Sequence, residues 1–390
     1  MIKMPPPPLE DEKAKTNFKF ELVHQSKISN ARVGKIHTPH GIINTPNFVA
    51  VGTNGTLKAL DNQNVSDIGL ELMFCNTYHL LVQPGTKIIK DAGGIHKFIN
   101  RKLPIITDSG GFQVFSLAYG GVANELKSNG AKQTDGHVLK ISEDGVLFRS
   151  YRDGKKILLT PETSIQAQKD LGADIIIPFD ELPPYHMKKE DLIKSLHRTH
   201  RWEVRSLKEH LNSPQNQAMY AVVHGGVNQI LRDASVEFLK NHPFDGFAIG
   251  GSMGKTKEEM VQMLKKTVPN LPQDKPNHLL GIADLPSLES CIPLGLDTFD
   301  SSYPTKSARH GSLLTKKGPL KVTKGSLASV HEPVEHDCAC STCQNYTISY
   351  LNHLFKAHEP TALILASIHN LHFMVNYMKN VRNLILQDQI

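Results

Sequence analysis

The sequence predicts an α/β fold, an irregular (β/α)8 barrel preceded by antiparallel strands and followed by a small C-terminal subdomain. Three observations predict it. Short apolar runs repeatedly end in Gly or a polar residue and then give way to helical patterns, as in Leu72-Met-Phe-Cys75 before Asn76. About seven or eight such strand–helix units fit the 390 residues, and repeated units of this kind build a parallel sheet. No G-x-G-x-x-G opens any of the helices, which weakens an open dinucleotide-binding sheet and favours a closed TIM barrel.

Taken in order, residues 1–16 hold four successive prolines and a charged stretch and are expected to form a flexible tail. From Phe18 to Val51, short apolar stretches broken by Gly, Pro and Asn suggest antiparallel strands with tight turns. The barrel runs follow: Leu72–Cys75, Ile105-Ile106 before Asp108, Ile175–Ile177 before Asp180, Tyr220–Val223 before His224-Gly-Gly226, Gly246–Ile249 before Gly250-Gly251, Leu279-Leu280 before Gly281, and Thr298-Phe299 before Asp300. Thr160-Pro161-Glu162 starts a helix, with Thr as N-cap and Pro in its first turn, and Gly172 is placed to stop it. A polar, basic helix runs from about Lys189 to Glu209. The expected units are a barrel with its N-terminal strands over 17–321, a zinc-binding subdomain over 322–372, and a closing helix over 373–390.

Composition narrows the class. Hydrophobic residues at 39% and charged residues at 21% exclude a wholly disordered chain. No apolar run reaches the roughly 18 residues of a membrane helix, and no apolar leader follows Met1, so a cytoplasmic location without a membrane partner is expected. A net charge of +6 permits a nucleic-acid partner without requiring one.

Chemistry concentrates in three places. Cys338-x-Cys340-x2-Cys343 with His369 supplies three thiolates and an imidazole, a closed tetrahedral set for one structural Zn2+; His353, His358 and His372 lie close enough to compete for the fourth position. Asp108, Asp180 and Asp300 all fall at strand ends, the catalytic face of such a barrel. A lone Asp there can equally cap a helix, but paired carboxylates at an anomeric carbon are the usual means of exchanging a glycosidic bond. In Asp108-Ser109-Gly110-Gly111-Phe112-Gln113 the glycines allow close backbone approach and Phe112 offers a stacking face. Finally, Lys306, Arg309, Lys316, Lys317, Lys321 and Lys324 follow Asp300 without an intervening acid. Such a run is often just a solvated face, yet its position beside the candidate Asp suits a phosphate-contacting surface.

Together these motifs resemble tRNA-guanine transglycosylase, the family that exchanges a base at the anticodon wobble position, in its bacterial-type catalytic chain. The matching segments are Asn76-Thr-Tyr-His79, Asp108–Gln113, Phe179-Asp180-Glu181, Gly246–Gly251, Phe299-Asp300, Pro304–Arg309 and the Cys-x-Cys-x2-Cys…His set. The resemblance implies that Asp300 is the nucleophile and Asp108 the acid/base partner. Ser109, Gly110, Gly111, Phe112, Asp180, His224, Gly251, Asn76, Gln113 and Leu280 would bind base and ribose, Phe112 and Leu280 sandwiching the ring. Gly281, Ile282, Ala283, Asp284, Thr305, Lys306, Ser307, Ala308 and Arg309 would contact tRNA, and Cys338, Cys340, Cys343 and His369 would hold zinc. It further implies a homodimer and tRNAs of the Asp, Asn, His and Tyr type.

Departures from the family pattern bear on the incoming base. His224 stands where Gln is usual, Leu182 where bacterial relatives carry Cys, and Ser252-Met-Gly-Lys255 replaces a Leu-Ala-Val-Gly-Glu segment. Lys255 is expected to take the place of a Glu that holds the pocket backbone, which weakens selection for a cationic amine. Queuine is therefore favoured slightly over 7-aminomethyl-7-deazaguanine. Residues 118–142 are expected to form a longer loop than in most relatives. Two other readings stay open, a non-catalytic tRNA-binding subunit and an ordinary barrel glycosidase.

Overall fold

The computed structural model describes residues 17–120, 122–127 and 137–390. The expected tail at 1–16 and parts of the expected 118–142 loop lie outside the described residues. Strands β1 (Lys19–Gln25), β2 (Arg32–Thr38) and β3 (Gly41–Thr45) form an antiparallel sheet, with Ile36 opposite Ile43. The barrel then closes from β4 (Asn47–Val51), β5 (Met73–Cys75) and β6 (Ile105–Thr107). An antiparallel excursion of β7 (Val138–Ile141), β8 (Val146–Arg149) and β9 (Lys156–Leu159) interrupts it. The ring resumes with β10 (Ile175–Ile176), β11 (Ala218–Val223), β12 (Gly246–Ile249), β13 (Asn277–Leu279) and β14 (Thr298–Ser301). All pairings around the barrel are parallel, and β5, β6 and β10 to β13 are buried at every residue. That two-sided burial is why these strands read as unbroken apolar runs rather than alternating ones.

Three expectations are corrected. Phe48–Val51 is not an antiparallel strand: Phe299 pairs with Phe48 and Asp300 with Val49 in parallel register, so β4 is the first barrel strand. Pro46, with no N–H to donate, separates it from β3. The stretch expected as a loop after Asp108 carries the helix Val122–Lys127 and strand β7, and β7 to β9 form one sheet. The boundary expected between 372 and 373 falls inside a single helix, Pro360–Leu386. Its apolar positions continue without a break, so one helix supplies His369 and also packs on β4, where Arg382 Nη1 donates to the Pro46 carbonyl at 2.7 Å.

Local signals held where the chemistry was strong. Thr160 accepts from the Thr163 amide and Gly172 ends the Pro161–Leu171 helix at φ 72°, a left-handed stop that glycine adopts freely. The Lys189–Leu211 helix buries Trp202, which stacks on Phe179 at 4.9 Å between centroids. At the barrel floor, Arg32 and Asp297 form a fully buried pair, with Nε to Oδ1 at 3.0 Å and Nη2 to Oδ2 at 2.6 Å. Two further guanidinium bonds reach the Gln273 and Lys275 carbonyls, tying the N-terminal sheet to β13 and β14. Arg32→Met, which strands the Asp297 carboxyl, should cost about 3–5 kcal/mol in urea unfolding. A change below about 1 kcal/mol, the value of a surface pair, would show that the sheet is not anchored here.

Candidate active site

At the C-terminal ends of the strands the side chains surround a cavity of about 730 Å³. Asn76, Asp108, Ser109, Phe112, Gln113, Asp180, Gly251, Leu280, Gly281, Ile282 and Asp300 all line it. Asp108, directly after β6, is buried. Its Oδ1 accepts the Thr77 amide at 2.8 Å, and its Oδ2 accepts Asn76 Nδ2 at 2.6 Å and Gln113 Nε2 at 2.9 Å. Burial pushes the Asp108 carboxyl up to about 6, against those three donors, with neighbouring Asp180 adding to the rise. A carboxyl titrating there can both give and take a proton near neutrality.

Asp300 is built differently. Its Oδ1 accepts the Gly281 amide at 2.7 Å and His278 Nε2 at 3.1 Å, while His278 Nδ1 lies 2.8 Å from Thr298 Oγ1. Among the described residues Oδ2 receives no donor, so one oxygen is anchored and the other is left to react. Asp180 accepts Ser109 Oγ at 2.8 Å and His224 Nε2 at 2.9 Å. His224 thus stands behind Asp180, outside the cavity lining, with Nδ1 towards Gly251: a Cβ added to that glycine would meet it at 2.8 Å. Gly111 is equally constrained, since a Cβ there would sit 2.5 Å from the Asp180 carbonyl oxygen. Gly110, at φ 88°, makes the turn that brings the loop in.

The cavity wall corrects the expectation at Lys255. The backbone-holding carboxylate is not lost: Glu259, one helical turn on, accepts the Lys255 amide at 2.7 Å and the Tyr185 hydroxyl at 3.0 Å. The Lys255 ammonium lies 4.9 Å from the Tyr185 ring centroid. His278, the Glu259–Tyr185 pair and Arg232 were not singled out from sequence. Buried Arg232 bonds the carbonyls of Val223, Gly226 and Ser252, knitting the loops after β11 and β12.

The expected tRNA-contacting residues divide. Gly281 and Ile282 line the cavity, whereas Ala283 is buried and Asp284 caps the Leu285–Cys291 helix through the Ser287 amide. On the Tyr303–Arg309 helix, Thr305 and Ala308 pack inward and Lys306 is exposed. Further along the basic run, Lys316 pairs with Asp337 and Lys321 donates to the His310 carbonyl.

In the C-terminal subdomain Cys338, Cys340, Cys343 and His369 are buried together, their ligand atoms within 4.8 Å of one another. His369 Nδ1 is 3.9, 3.6 and 3.3 Å from the three sulfurs. Zinc with Zn–S of about 2.3 Å and Zn–N of about 2.0–2.1 Å would set these near about 3.6 Å. His369 Nε2 bonds the Leu314 carbonyl at 2.8 Å, which leaves Nδ1 free of its proton and directed at the thiols. His372 reaches Cys338 alone, so His369 completes the set. The residues fit a structural metal ion.

Comparison with known proteins agrees. A family model described as Queuine tRNA-ribosyltransferase matches residues 26–390. A protein of that name from Protochlamydia amoebophila (strain UWE25) is 67% identical over 96% of this chain and 97% of its own length. One from Chlamydia felis (strain Fe/C-56) is 56% identical over 96% of the chain and 100% of its own length. The chain belongs to the queuine tRNA-ribosyltransferase family.

Members of this family are pentosyltransferases, and further side chains gather at the cavity of this one. From the β7–β9 excursion, Tyr151 joins the lining, its hydroxyl 3.3 Å from His79 Nδ1. Buried Glu125, on the Val122–Lys127 helix, holds His186 Nδ1 at 2.9 Å beside Tyr185. No helix among the described residues is long and apolar enough to cross a membrane. For the subdomain the expected outcome is one zinc per chain by metal analysis, lost in Cys343→Ser together with a lower unfolding midpoint. Full zinc occupancy in that variant would contradict the ligand set.

Proposed function

We propose that this chain exchanges the wobble guanine of tRNAs of the Asp, Asn, His and Tyr type for a 7-deazaguanine base by double displacement. The observation that carries the reading is the division of labour across one cavity: Asp300 with one oxygen anchored, Asp108 with its proton held to about 6. In the first step Asp300 Oδ2 attacks the anomeric carbon, the glycosidic C–N bond breaks, and protonated Asp108 gives its proton to the departing guanine. In the second, ionised Asp108 takes the N9 proton of the incoming base, whose nitrogen attacks the same carbon and expels the Asp300 carboxylate. Two inversions retain configuration.

Asp180, oriented by Ser109 and His224, would accept N–H groups of the guanine edge, and the Gly251 amide would donate to its carbonyl. Phe112 and Leu280 would sandwich the ring. Asn76 and Gln113 would meet the ribose while keeping Asp108 in place. Gly281 to Asp284 and the outward residues of the Tyr303–Arg309 helix would hold the anticodon loop, whose unpaired bases can be extruded for local unstacking alone.

Queuine is the incoming base the wall favours. The Glu259 carboxylate is engaged by Lys255 N–H and the Tyr185 hydroxyl, and the Lys255 ammonium repels a second cation. The names of the relatives are consistent with this. The runner-up is 7-aminomethyl-7-deazaguanine.

Three outcomes are expected. Labelled guanine should exchange into purified tRNA with wild type and fall by at least about 10³-fold in Asp300→Ala and Asp108→Ala; no exchange by the wild type would sink the reading. The half-reaction in which a preformed tRNA adduct takes up the base should slow about tenfold per pH unit below about 6, because Asp108 must be ionised to accept the proton. A flat profile from pH 5 to 7 would contradict that role. In competition, queuine should be incorporated ahead of the aminomethyl base, and Lys255→Glu should move the ratio towards the amine.

A further inference from the structure

The β7–β9 sheet has no part in the exchange chemistry, yet the turn that joins β8 to β9 reaches the cavity rim. Tyr151 sits in that turn, 43% exposed, and lines the cavity together with Phe112. Its ring lies 5.9 Å between centroids from His79, at 64° between planes, and 6.1 Å from Tyr78, at 31°. Burial and nearby Lys58 lower the His79 pKa, so a neutral imidazole is present to accept the Tyr151 hydroxyl at 3.3 Å. Behind it, buried Phe148 packs on Tyr78 at 5.1 Å between centroids and anchors the sheet. An aromatic face is thereby fixed at the rim and left open to solvent.

The same hairpin carries an unusual pair of cations. Arg149 and Lys156 are the last cross-strand partners before the turn, and both are exposed. Directly opposite residues have Cβ atoms about 4.5–5.5 Å apart, and like charges placed there repel. Neither side chain makes an ion pair among the described residues. Arg152, in the turn, is likewise exposed and unmatched among them, whereas Lys155 is answered by Asp153 at 3.0 Å. Two opposed cations become stable neighbours when an anion lies between them. An aromatic face beside such cations is the arrangement that holds single-stranded nucleic acid.

We propose that the β8–β9 hairpin is a contact surface for the anticodon loop, with Tyr151 stacking on an unpaired base beside the extruded guanine and Arg149 and Lys156 sharing one backbone phosphate. The inference rests on the tRNA reading given above and extends it to an element outside the strand-end loops and the Tyr303–Arg309 helix. An unpaired loop that delivers one base into the cavity carries the neighbouring nucleotides across its rim, where Tyr151 stands. Stacking accepts any base, since every base has a π-face, so the hairpin adds affinity without choosing a sequence. These three residues act on capture of the RNA, and the bond exchange stays with Asp300 and Asp108.

The test is the affinity of the full chain for unmodified tRNA by filter binding across a salt series, with guanine exchange kinetics on the same variants. Tyr151→Leu should weaken tRNA binding about tenfold, while Tyr151→Phe binds as the wild type does, because the RNA meets the π-face and not the hydroxyl. Arg149→Gln combined with Lys156→Gln should lower the slope of log Kd against log salt by about 0.7, the value of one phosphate contact on a single strand. That double variant should raise the KM for tRNA and leave kcat and the KM for guanine unchanged. A wild type that exchanges no guanine removes the function on which the inference rests. A wild type that exchanges it, with either Tyr151→Leu at the wild-type affinity or the double variant at the wild-type slope, overturns the hairpin contact alone. A Tyr151→Leu chain whose KM rises for guanine and not for tRNA would place the ring against the incoming base, and overturns the contact as well.

Discussion

Pairing of β14 with β4 closes the ring, and the site follows from that closure because every parallel strand then ends on the same face. Asn76 follows β5, Asp108 follows β6, His224 follows β11, Gly251 follows β12, Gly281 follows β13, and Asp300 lies within β14. These residues are far apart in sequence and share no local motif. The register of Asp300 opposite Val49 places the last strand's carboxylate beside the first strand, and so within the same cavity as Asp108. The floor ties reinforce the closure from below, Arg32 to Asp297 most directly.

Three carboxylates in one cavity are costly to bury, and each is answered with different donors. Asp108 receives a backbone amide and two side-chain amides, none of them charged, so desolvation still prevails and its proton is retained to near neutrality. Asp180 is held by a hydroxyl and an imidazole, which fixes both of its oxygens. Asp300 has a backbone amide and His278 on a single oxygen. The contrast between the proton-holding Asp108 and Asp300, anchored at one oxygen, arises from these partners, since the side chains are chemically the same.

The barrel class, the strand ends and the Cys3His cluster were legible in sequence because each rests on a local signal: an apolar run, a glycine pair, a Cys spacing. Parallel pairing of β4 was not, because Phe48–Val51 has the same apolar rhythm as the antiparallel strands before it. His278 was hidden within the buried three-residue strand Asn277–Leu279, and only the fold brings it to Asp300. Glu259 was missed because its role depends on the helix reaching back four residues to Lys255. The β7–β9 sheet gave short, partly exposed strands whose pattern did not separate from a polar loop.

The account turns on Asp300 forming a bond to the ribose. The measurement that addresses it most directly is denaturing electrophoresis of the chain mixed with unmodified tRNA and quenched during exchange, for wild type, Asp300→Asn and Asp108→Asn. A band of protein-linked tRNA should form with the wild type, disappear on addition of excess guanine, and be missing in Asp300→Asn. An adduct that persists in Asp300→Asn, or guanine exchange by a wild type that never forms one, would contradict it.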